Sequence, residues 1–265
     1  MENDKRLTAF AKLLNIMDEL REKCPWDAKQ TFESLRNNTI EETYELADAI
    51  IKKDLNEIRK ELGDLLLHIV FYAKLGSETG DFDITDVING ICDKLVYRHP
   101  HVFGNVDVNN DSNQVVKNWE HLKLKEKDGN KSVLSGVPAA LPALIKANRI
   151  QEKVSAIGFD WEQRSQVWDK VIEEYNEVQT EIENENAQRL EQEFGDLIFA
   201  IVNAARLYNI DSETALERTN KKFIRRFEYL EQRTIKQGHS LKTMTLGEMN
   251  EIWEEAKKFD LVFSI

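Results

Sequence analysis

The sequence predicts an all-α protein built from two copies of one helical bundle. The chain of 265 residues contains only 4 Pro and 11 Gly, so few residues would interrupt helices. An acidic pattern, Glu-Glu-x-x-Glu followed by Glu-x-Gly-Asp and an apolar run, occurs twice. No alternating strand pattern of useful length appears. The expected architecture is therefore a tandem duplication without a significant sheet.

The first half is interpreted as a series of helices in which apolar residues recur at helical spacing. Asp54 is placed to cap the third of them, and Gly76 and Gly80 mark the loop that follows it. Helices are expected over residues 7–20, 41–51, 55–75, 84–98 and 115–125.

The second half repeats this order after a segment rich in turn-forming residues. Residues 128–142 contain Asp-Gly-Asn, Ser-Gly and two prolines, which favour a linker. We expect one domain over residues 1–128, a linker over 129–140 and a second domain over 141–265. Helices are expected over 141–157, 167–182, 190–207, 212–231 and 246–259.

Composition and charge restrict the class of protein. The net charge of −12 disfavours nucleic acid as a partner, because phosphate backbones are bound through Lys and Arg. A nucleotide is not excluded, since a metal ion and a few local bases can neutralise it. The two cysteines fit free thiols in a reducing cytosol. The absence of an apolar signal core and of an 18-residue apolar run predicts a cytoplasmic protein that does not engage a membrane.

The repeated acids predict a site for a divalent cation. Residues 41 and 173 differ by 132 positions, as do residues 64 and 196. Residues three apart on a helix face the same way, so each acidic pair projects together, and antiparallel packing would make the pairs converge. Four carboxylates without His or Cys suit Mg²⁺, with Mn²⁺ as a possible substitute. These acids are Glu174, Glu177, Glu193 and Asp196, and in the first copy Glu42, Glu45, Glu61 and Asp64.

Basic and aromatic residues recur in the same order behind each acidic block. A Lys-x-x-x-Arg and then a Trp-x-x-x-Lys follow, which suggests contacts to phosphates and stacking on a base. Surface bases and core tryptophans would give the same pattern in isolation. The residues are Lys222, Arg226, Trp253 and Lys257, matched by Lys94, Arg98, Trp119 and Lys123.

One lysine distinguishes the halves. Lys170 lies one turn before Glu174, whereas the matching position, 170 − 132 = 38, is Asn38. The second half therefore has one more candidate for phosphate binding. His68, whose counterpart is Ala200, is interpreted as a core or interface histidine.

These motifs together resemble the MazG family of nucleoside triphosphate pyrophosphohydrolases, in its two-domain form. The resemblance also rests on Cys-Pro-Trp-Asp at 24–27, Arg-His-Pro-His-Val-Phe at 98–103 and Gly-Phe-Asp-Trp at 158–161. It implies Mg²⁺-dependent hydrolysis of NTP to NMP and pyrophosphate by a homodimer. It also implies that the second-half acids bind Mg²⁺, that Lys170 and the four basic and aromatic residues contact the nucleotide, and that the second domain carries the activity.

For the mechanism we expect attack of water on the α-phosphorus, with Glu173 or Glu177 accepting the proton of the water. Stacking on Trp253 would tolerate any base, so broad use of NTPs and dNTPs is expected. One alternative is a first half that serves only as a dimerisation or regulatory scaffold. A di-iron carboxylate bundle is disfavoured because neither acidic block contains Glu-x-x-His.

Overall fold

The computed structural model describes residues 4–108, 111–125, 132–236, 238 and 240–260. Every regular element within these ranges is helical, which confirms the all-α prediction. None of the described helices is both long and apolar enough to cross a membrane. The α-helices are α1 (Lys5–Lys23), α2 (Phe32–Lys52), α3 (Leu55–Thr79), α4 (Ile84–Arg98), α5 (Pro100–Phe103), α6 (Ser112–Lys125), α7 (Ala143–Ala156), α8 (Val167–Glu183), α9 (Ala187–Leu207), α10 (Ser212–Lys236) and α11 (Leu246–Asp260).

The chain forms two compact units, Met1–Val115 and Val116–Ile265. The division falls within α6, whereas the sequence suggested a linker over residues 129–140. Residues 126–131 lie outside the described part of the chain. Trp119 and Lys123, expected to serve the first-half site, belong to the second unit.

The first unit is organised around the hairpin of α2 and α3. A capping box fixes the start of α2, in which the Thr31 hydroxyl accepts a hydrogen bond from the Ser34 amide and the Ser34 hydroxyl accepts one from the Thr31 amide. This cap places the beginning of α2 at Phe32, earlier than the sequence-based expectation. Lys53 ends the helix at φ 57°, and Asp54 caps α3 as predicted.

The core of the first unit forms where α1 and α2 pack against α3. It contains Met17, Leu35, Val70, Phe71 and Leu75. The prediction that Gly76 lies in the loop after α3 is wrong, because the helix continues to Thr79. A Cβ atom at Gly76 would come within 2.7 Å of the Phe82 ring, so the glycine allows close packing. The helix ends at Gly80, whose φ of 75° suits glycine.

The second unit repeats the hairpin with α8 and α9. The two helices are joined by the short turn 184–186, in which Glu185 has a φ of 52°. Helix α7 packs against α9, and α10 packs against α7, α9 and α11. Buried side chains from these helices include Val167, Val178, Val202, Leu230 and Ala256. The hairpin thus brings the acidic blocks of α8 and α9 side by side.

The helices after each Glu-x-Gly-Asp block leave some large apolar side chains exposed within their units. In α9, Ala200 and Ala204 are buried on one face, whereas Ile198 and Ile201 on another are 51% and 47% exposed. In α3, Val70 is buried and Leu62 is 53% exposed. Each helix therefore contributes side chains to the core of its unit and leaves other apolar side chains exposed.

Candidate active site

The second-half acids converge at the α8–α9 hairpin. Glu174 and Glu177 lie on α8 and Glu193 on α9, and one carboxylate oxygen from each lies within 4.8 Å of the others. Asp196, one turn after Glu193, lines the same cavity as Glu174. The three-residue spacing within each pair thus places the side chains on facing surfaces of adjacent helices. Three carboxylates this close can share one hard divalent cation.

Glu174 is the most buried member of this cluster, and half of its carboxylate is unsatisfied. The residue is 5% exposed. Its Oε1 atom lies 2.7 Å from Lys170 Nζ, whereas its buried Oε2 atom has no hydrogen-bond partner. A buried carboxylate oxygen without a partner is costly, and a cation at the cluster would satisfy it.

The charges of the cluster shift the pKa values of its members. Hydrogen bonds to Glu174 and then to Glu173, whose Oε1 lies 2.9 Å away, raise the pKa of the Lys170 ammonium. Partial desolvation raises the pKa of Glu177, and the nearby carboxylates of Glu174 and Glu193 add to this effect. The close approach of like charges thus favours a proton or a cation at Glu177.

A cavity of about 630 Å³ adjoins these acids. Lys170, Glu174 and Asp196 line it together with side chains from α7, α9 and the loop between α7 and α8. Its apolar walls include Val154, Phe159, Trp161, Phe199 and Ala200. The volume falls in the range of small-molecule sites.

The loop wall of the cavity is held by Asp160, which belongs to the Gly-Phe-Asp-Trp motif but was not predicted to be a site residue. Its carboxylate accepts hydrogen bonds from Ser155 Oγ at 2.6 Å, from the Trp161 amide at 2.9 Å and from Arg206 at 2.6 and 3.0 Å. Partial burial alone would raise the pKa of Asp160, but the hydrogen bonds from Arg206, Ser155 and Trp161 lower it. Asp160 therefore ties the loop to α9.

The predicted nucleotide contacts lie on α10 and α11, which pack against each other. The Arg226 guanidinium lies over the Trp253 ring, 5.6 Å from its centroid. Phe223 contacts the same ring at 4.9 Å, and Lys257 forms an ion pair with Glu254. The lining of the cavity does not include these predicted nucleotide contacts, which are Lys222, Arg226, Trp253 and Lys257.

The first half contains a second acidic cluster. One oxygen from each of Glu42, Glu45 and Glu61 lies within 4.8 Å of the others. Desolvation raises the pKa of Glu42, and the charge of Asp64 raises it further. Glu61 is 2% exposed, and its Oε2 atom has no hydrogen-bond partner. The candidate bases Lys94 and Arg98 lie on α4.

A lysine on α3, the second helix of the hairpin, pairs with the first-half cluster. Lys60 Nζ lies 2.8 Å from Glu61 Oε1, and this hydrogen bond lowers the pKa of Glu61. Position 60 + 132 = 192 is Gln192, so the lysine has no counterpart in the second half. Each cluster therefore has one lysine paired with its buried glutamate, Lys60 on α3 in the first half and Lys170 on α8 in the second.

The halves differ more in what surrounds the acids. Ala200 and Asn203 line the second-half cavity, and the matching positions in the first half hold His68 and Phe71. Phe71 belongs to the hydrophobic core, and buried His68 is hydrogen-bonded through Nδ1 to Thr39 Oγ1 at 2.9 Å. These side chains are larger than their second-half counterparts, and the first-half cavity, of about 440 Å³, adjoins Glu45, Lys60 and Glu61 instead. This difference in side-chain size between the halves could have been found by comparing positions 68 and 71 with positions 200 and 203 of the sequence.

Comparison with known proteins places the chain in a family. The family described as MazG nucleotide pyrophosphohydrolase domain matches residues 30–103 and 163–230, one segment in each half. Nucleoside triphosphate pyrophosphohydrolase of Escherichia coli K12 is 42% identical over 257 residues, covering 94% of this chain and 97% of the relative. Nucleoside triphosphate pyrophosphohydrolase/pyrophosphatase MazG of Thermotoga maritima is 43% identical over 254 residues, covering 95% and 96%.

A third relative, YabN of Bacillus subtilis, is described as uncharacterized. It is 47% identical over 253 residues, which cover 94% of this chain and 52% of the relative. The two matched segments contain both acidic blocks. The family resemblance drawn from the motifs is confirmed: this chain belongs to the MazG family of nucleotide pyrophosphohydrolases.

Proposed function

We propose that this MazG-family hydrolase converts nucleoside triphosphates to nucleoside monophosphates and pyrophosphate at the second-half site. The observation that carries the proposal is the cluster of Glu174, Glu177 and Glu193 beside Lys170 and a cavity of about 630 Å³. The names of the E. coli and T. maritima relatives support the substrate class.

Mg²⁺ is the proposed cofactor, and the residues present fit it. The donors are carboxylates, and the buried Glu174 Oε2 atom requires a partner. Glu174, Glu177, Glu193 and Asp196 would hold the ion, and Mn²⁺ could replace it. When bound, the metal supplies charge neutralisation on the phosphates and polarisation of a water.

The protein side chains are proposed to accept the proton of the water and to stabilise the charge on the phosphates. Glu177 accepts a proton from the attacking water through a carboxylate oxygen that does not hold the metal, since Glu173 is paired with Lys170. The new bond forms between the water oxygen and the α-phosphorus, and the bond from that phosphorus to the bridging oxygen breaks. Pyrophosphate leaves with the electron pair. Lys170, Lys222 and Arg226 stabilise the phosphate charge.

The first half is proposed to contribute little to catalysis. It retains the acids and gains Lys60, but His68 and Phe71 occupy the positions of Ala200 and Asn203. A scaffold or regulatory role fits this combination. Broad base tolerance and a housekeeping role in the cytoplasmic nucleotide pool complete the proposal.

A homodimer is the proposed assembly. The uncovered apolar face of α9 includes Phe194, Ile198 and Ile201, exposed by 46%, 51% and 47%. Large apolar surfaces of this kind are usually covered by a partner. Replacement of Ile201 by Glu should shift the sedimentation coefficient toward that of a monomer, whereas replacement of exposed Glu191 by Lys should not.

The test of the reaction is product analysis in ¹⁸O-labelled water. The protein is incubated with each NTP and dNTP, with and without Mg²⁺, and the products are resolved by mass spectrometry. Metal-dependent formation of pyrophosphate and labelled NMP is expected. Label in the pyrophosphate would contradict attack on the α-phosphorus, and release of orthophosphate alone would contradict the proposed reaction.

A further inference from the structure

We propose that the second-half cavity receives the nucleobase of the substrate and that Gln151 recognises it by accepting a hydrogen bond from the base. This inference rests on the proposed hydrolysis of nucleoside triphosphates. It assigns a specificity role to a residue on α7, outside both acidic blocks.

The orientation of the Gln151 amide follows from its partner. Gln151 Nε2 lies 2.9 Å from the carbonyl oxygen of Phe199 on α9. A carbonyl oxygen can only accept, so the amide nitrogen must face it and Oε1 must face away. That oxygen is buried without a hydrogen-bond partner, although Gln151 is only 3% exposed and lines the cavity. The carboxamide is thus a fixed acceptor whose partner is missing.

Asn203 is a second carboxamide that lines the same cavity. Arg206 donates to Asn203 Oδ1 from Nε at 3.0 Å and from Nη2 at 2.8 Å. An arginine can only donate, so the side-chain oxygen of Asn203 is assigned and its amide nitrogen faces elsewhere. The cavity therefore combines two carboxamides of assigned orientation with apolar and aromatic walls, as nucleobase sites do.

The position of the cavity also suits a nucleotide. Glu174 and Asp196, which are proposed to hold the metal, line it together with Gln151. One cavity can therefore accommodate the base of a nucleotide whose phosphates meet the acids. The Trp253 ring is a weaker candidate for the base, because the Arg226 guanidinium already lies over it at 5.6 Å.

A hydrogen-bond acceptor at Gln151 would allow every standard base to bind and would disfavour a base that lacks an N–H donor. Each standard base has an N–H donor on its pairing edge, in the amino group of adenine and cytosine or in the ring N–H of guanine, uracil and thymine. Purine riboside triphosphate lacks the amino group of ATP and is otherwise nearly the same size. We expect it to be a poorer substrate than ATP by about 10- to 100-fold in kcat/KM, because it leaves a buried acceptor unpaired.

The experiment compares wild type with Gln151→Met, a side chain of similar size without an acceptor. The substrates are ATP, purine riboside triphosphate and methyl triphosphate, which has no base. Gln179→Met on the exposed surface of α8 is the matched control. The variant should lose the preference for ATP over purine riboside triphosphate and keep its rate on methyl triphosphate, whereas the control should behave as wild type.

Three outcomes would overturn the inference. Wild type could fail to distinguish the two purine substrates, the variant could retain the distinction, or it could lose activity on all three substrates alike, which would indicate a structural role. If wild type releases no pyrophosphate from any substrate, the proposed function fails. The inference is then decided by the Kd values of α,β-methylene analogues of ATP and purine riboside triphosphate, whose equality would overturn it.

Discussion

The ammonium group of Lys170 lies 2.7 Å from the buried carboxylate of Glu174, one turn further along the same helix. The same position in the first half is Asn38, and there the lysine that pairs with the buried glutamate is Lys60, the residue before Glu61 on α3. Both clusters therefore contain a buried glutamate that one lysine neutralises only in part. This residual charge is the physical reason to expect a metal ion at each.

Lys170→Asn, which introduces the first-half residue, should lower both stability and activity. The carboxylate of Glu174 would be left buried beside two other acids, at a cost of about 1 kcal/mol after allowance for the 39% exposure of Lys170. Urea denaturation without metal measures the loss, and added Mg²⁺ should reduce it. Lys60→Gln is the matched control and should leave pyrophosphate release unchanged. Full activity of Lys170→Asn would contradict a phosphate role for this lysine.

Ala200→His should close the second-half cavity by introducing the side chain found at His68. Overpacking costs about 1–3 kcal/mol of stability, and we expect kcat/KM for ATP to fall by about tenfold or more. Steady-state kinetics above and below KM separate loss of binding from loss of turnover. Ala200→Ser, which keeps the site small, should retain activity. Unchanged kinetics in the histidine variant would show that substrate does not enter this cavity.

Asp160→Asn should loosen the wall of the cavity. The change removes the charge that pairs with Arg206, whose side chain is 14% exposed, and should cost about 2 kcal/mol. KM should rise more than kcat falls, because the loop shapes the pocket and does not hold the reacting atoms. Glu152→Gln, which breaks the exposed pair with Arg149, is the control and should change stability by less than about 0.5 kcal/mol. An equal effect of the two variants would contradict the role of Asp160.

The stability of the protein should fall between about pH 7.5 and 5.5 in a way that depends on His68. Burial lowers the pKa of this imidazole below its ordinary value of 6.5. The unfolded chain therefore binds more protons than the folded one in this range, so unfolding is favoured as pH falls through the unfolded pKa. The free energy of unfolding of His68→Gln should show a smaller loss than wild type. Parallel curves for the two proteins would contradict a neutral buried His68.

The sequence carried enough information to predict the helices and the convergence of the acids. Spacings of three on a helix and a short connection at 184–186 suffice to place Glu174, Glu177 and Glu193 together. The ends of helices depended on particular contacts, such as the Thr31 capping box and the packing of Phe82 against Gly76.

Other parts of the site could not be predicted from the sequence. Some depend on contacts between residues far apart in the chain, and others on side chains of adjacent helical residues that turn toward each other. Gln151 and Phe199 are separated by 48 positions. Lys60 and Glu61 are neighbours in sequence, and adjacent residues on a helix ordinarily point apart. The Trp253 group was predicted from repeated spacing, which does not indicate that Arg226 would lie over the ring.

The most direct test of the central claim compares two isosteric substitutions at matched repeat positions, Glu193→Gln and Glu61→Gln. Pyrophosphate release from ATP is measured at saturating Mg²⁺ in the full-length protein. The account predicts a loss of about 100-fold or more for Glu193→Gln, since a carboxylate that holds the metal becomes neutral, and a change within about threefold for Glu61→Gln. Retention of activity by Glu193→Gln, or its abolition by Glu61→Gln alone, would contradict catalysis at the second-half site.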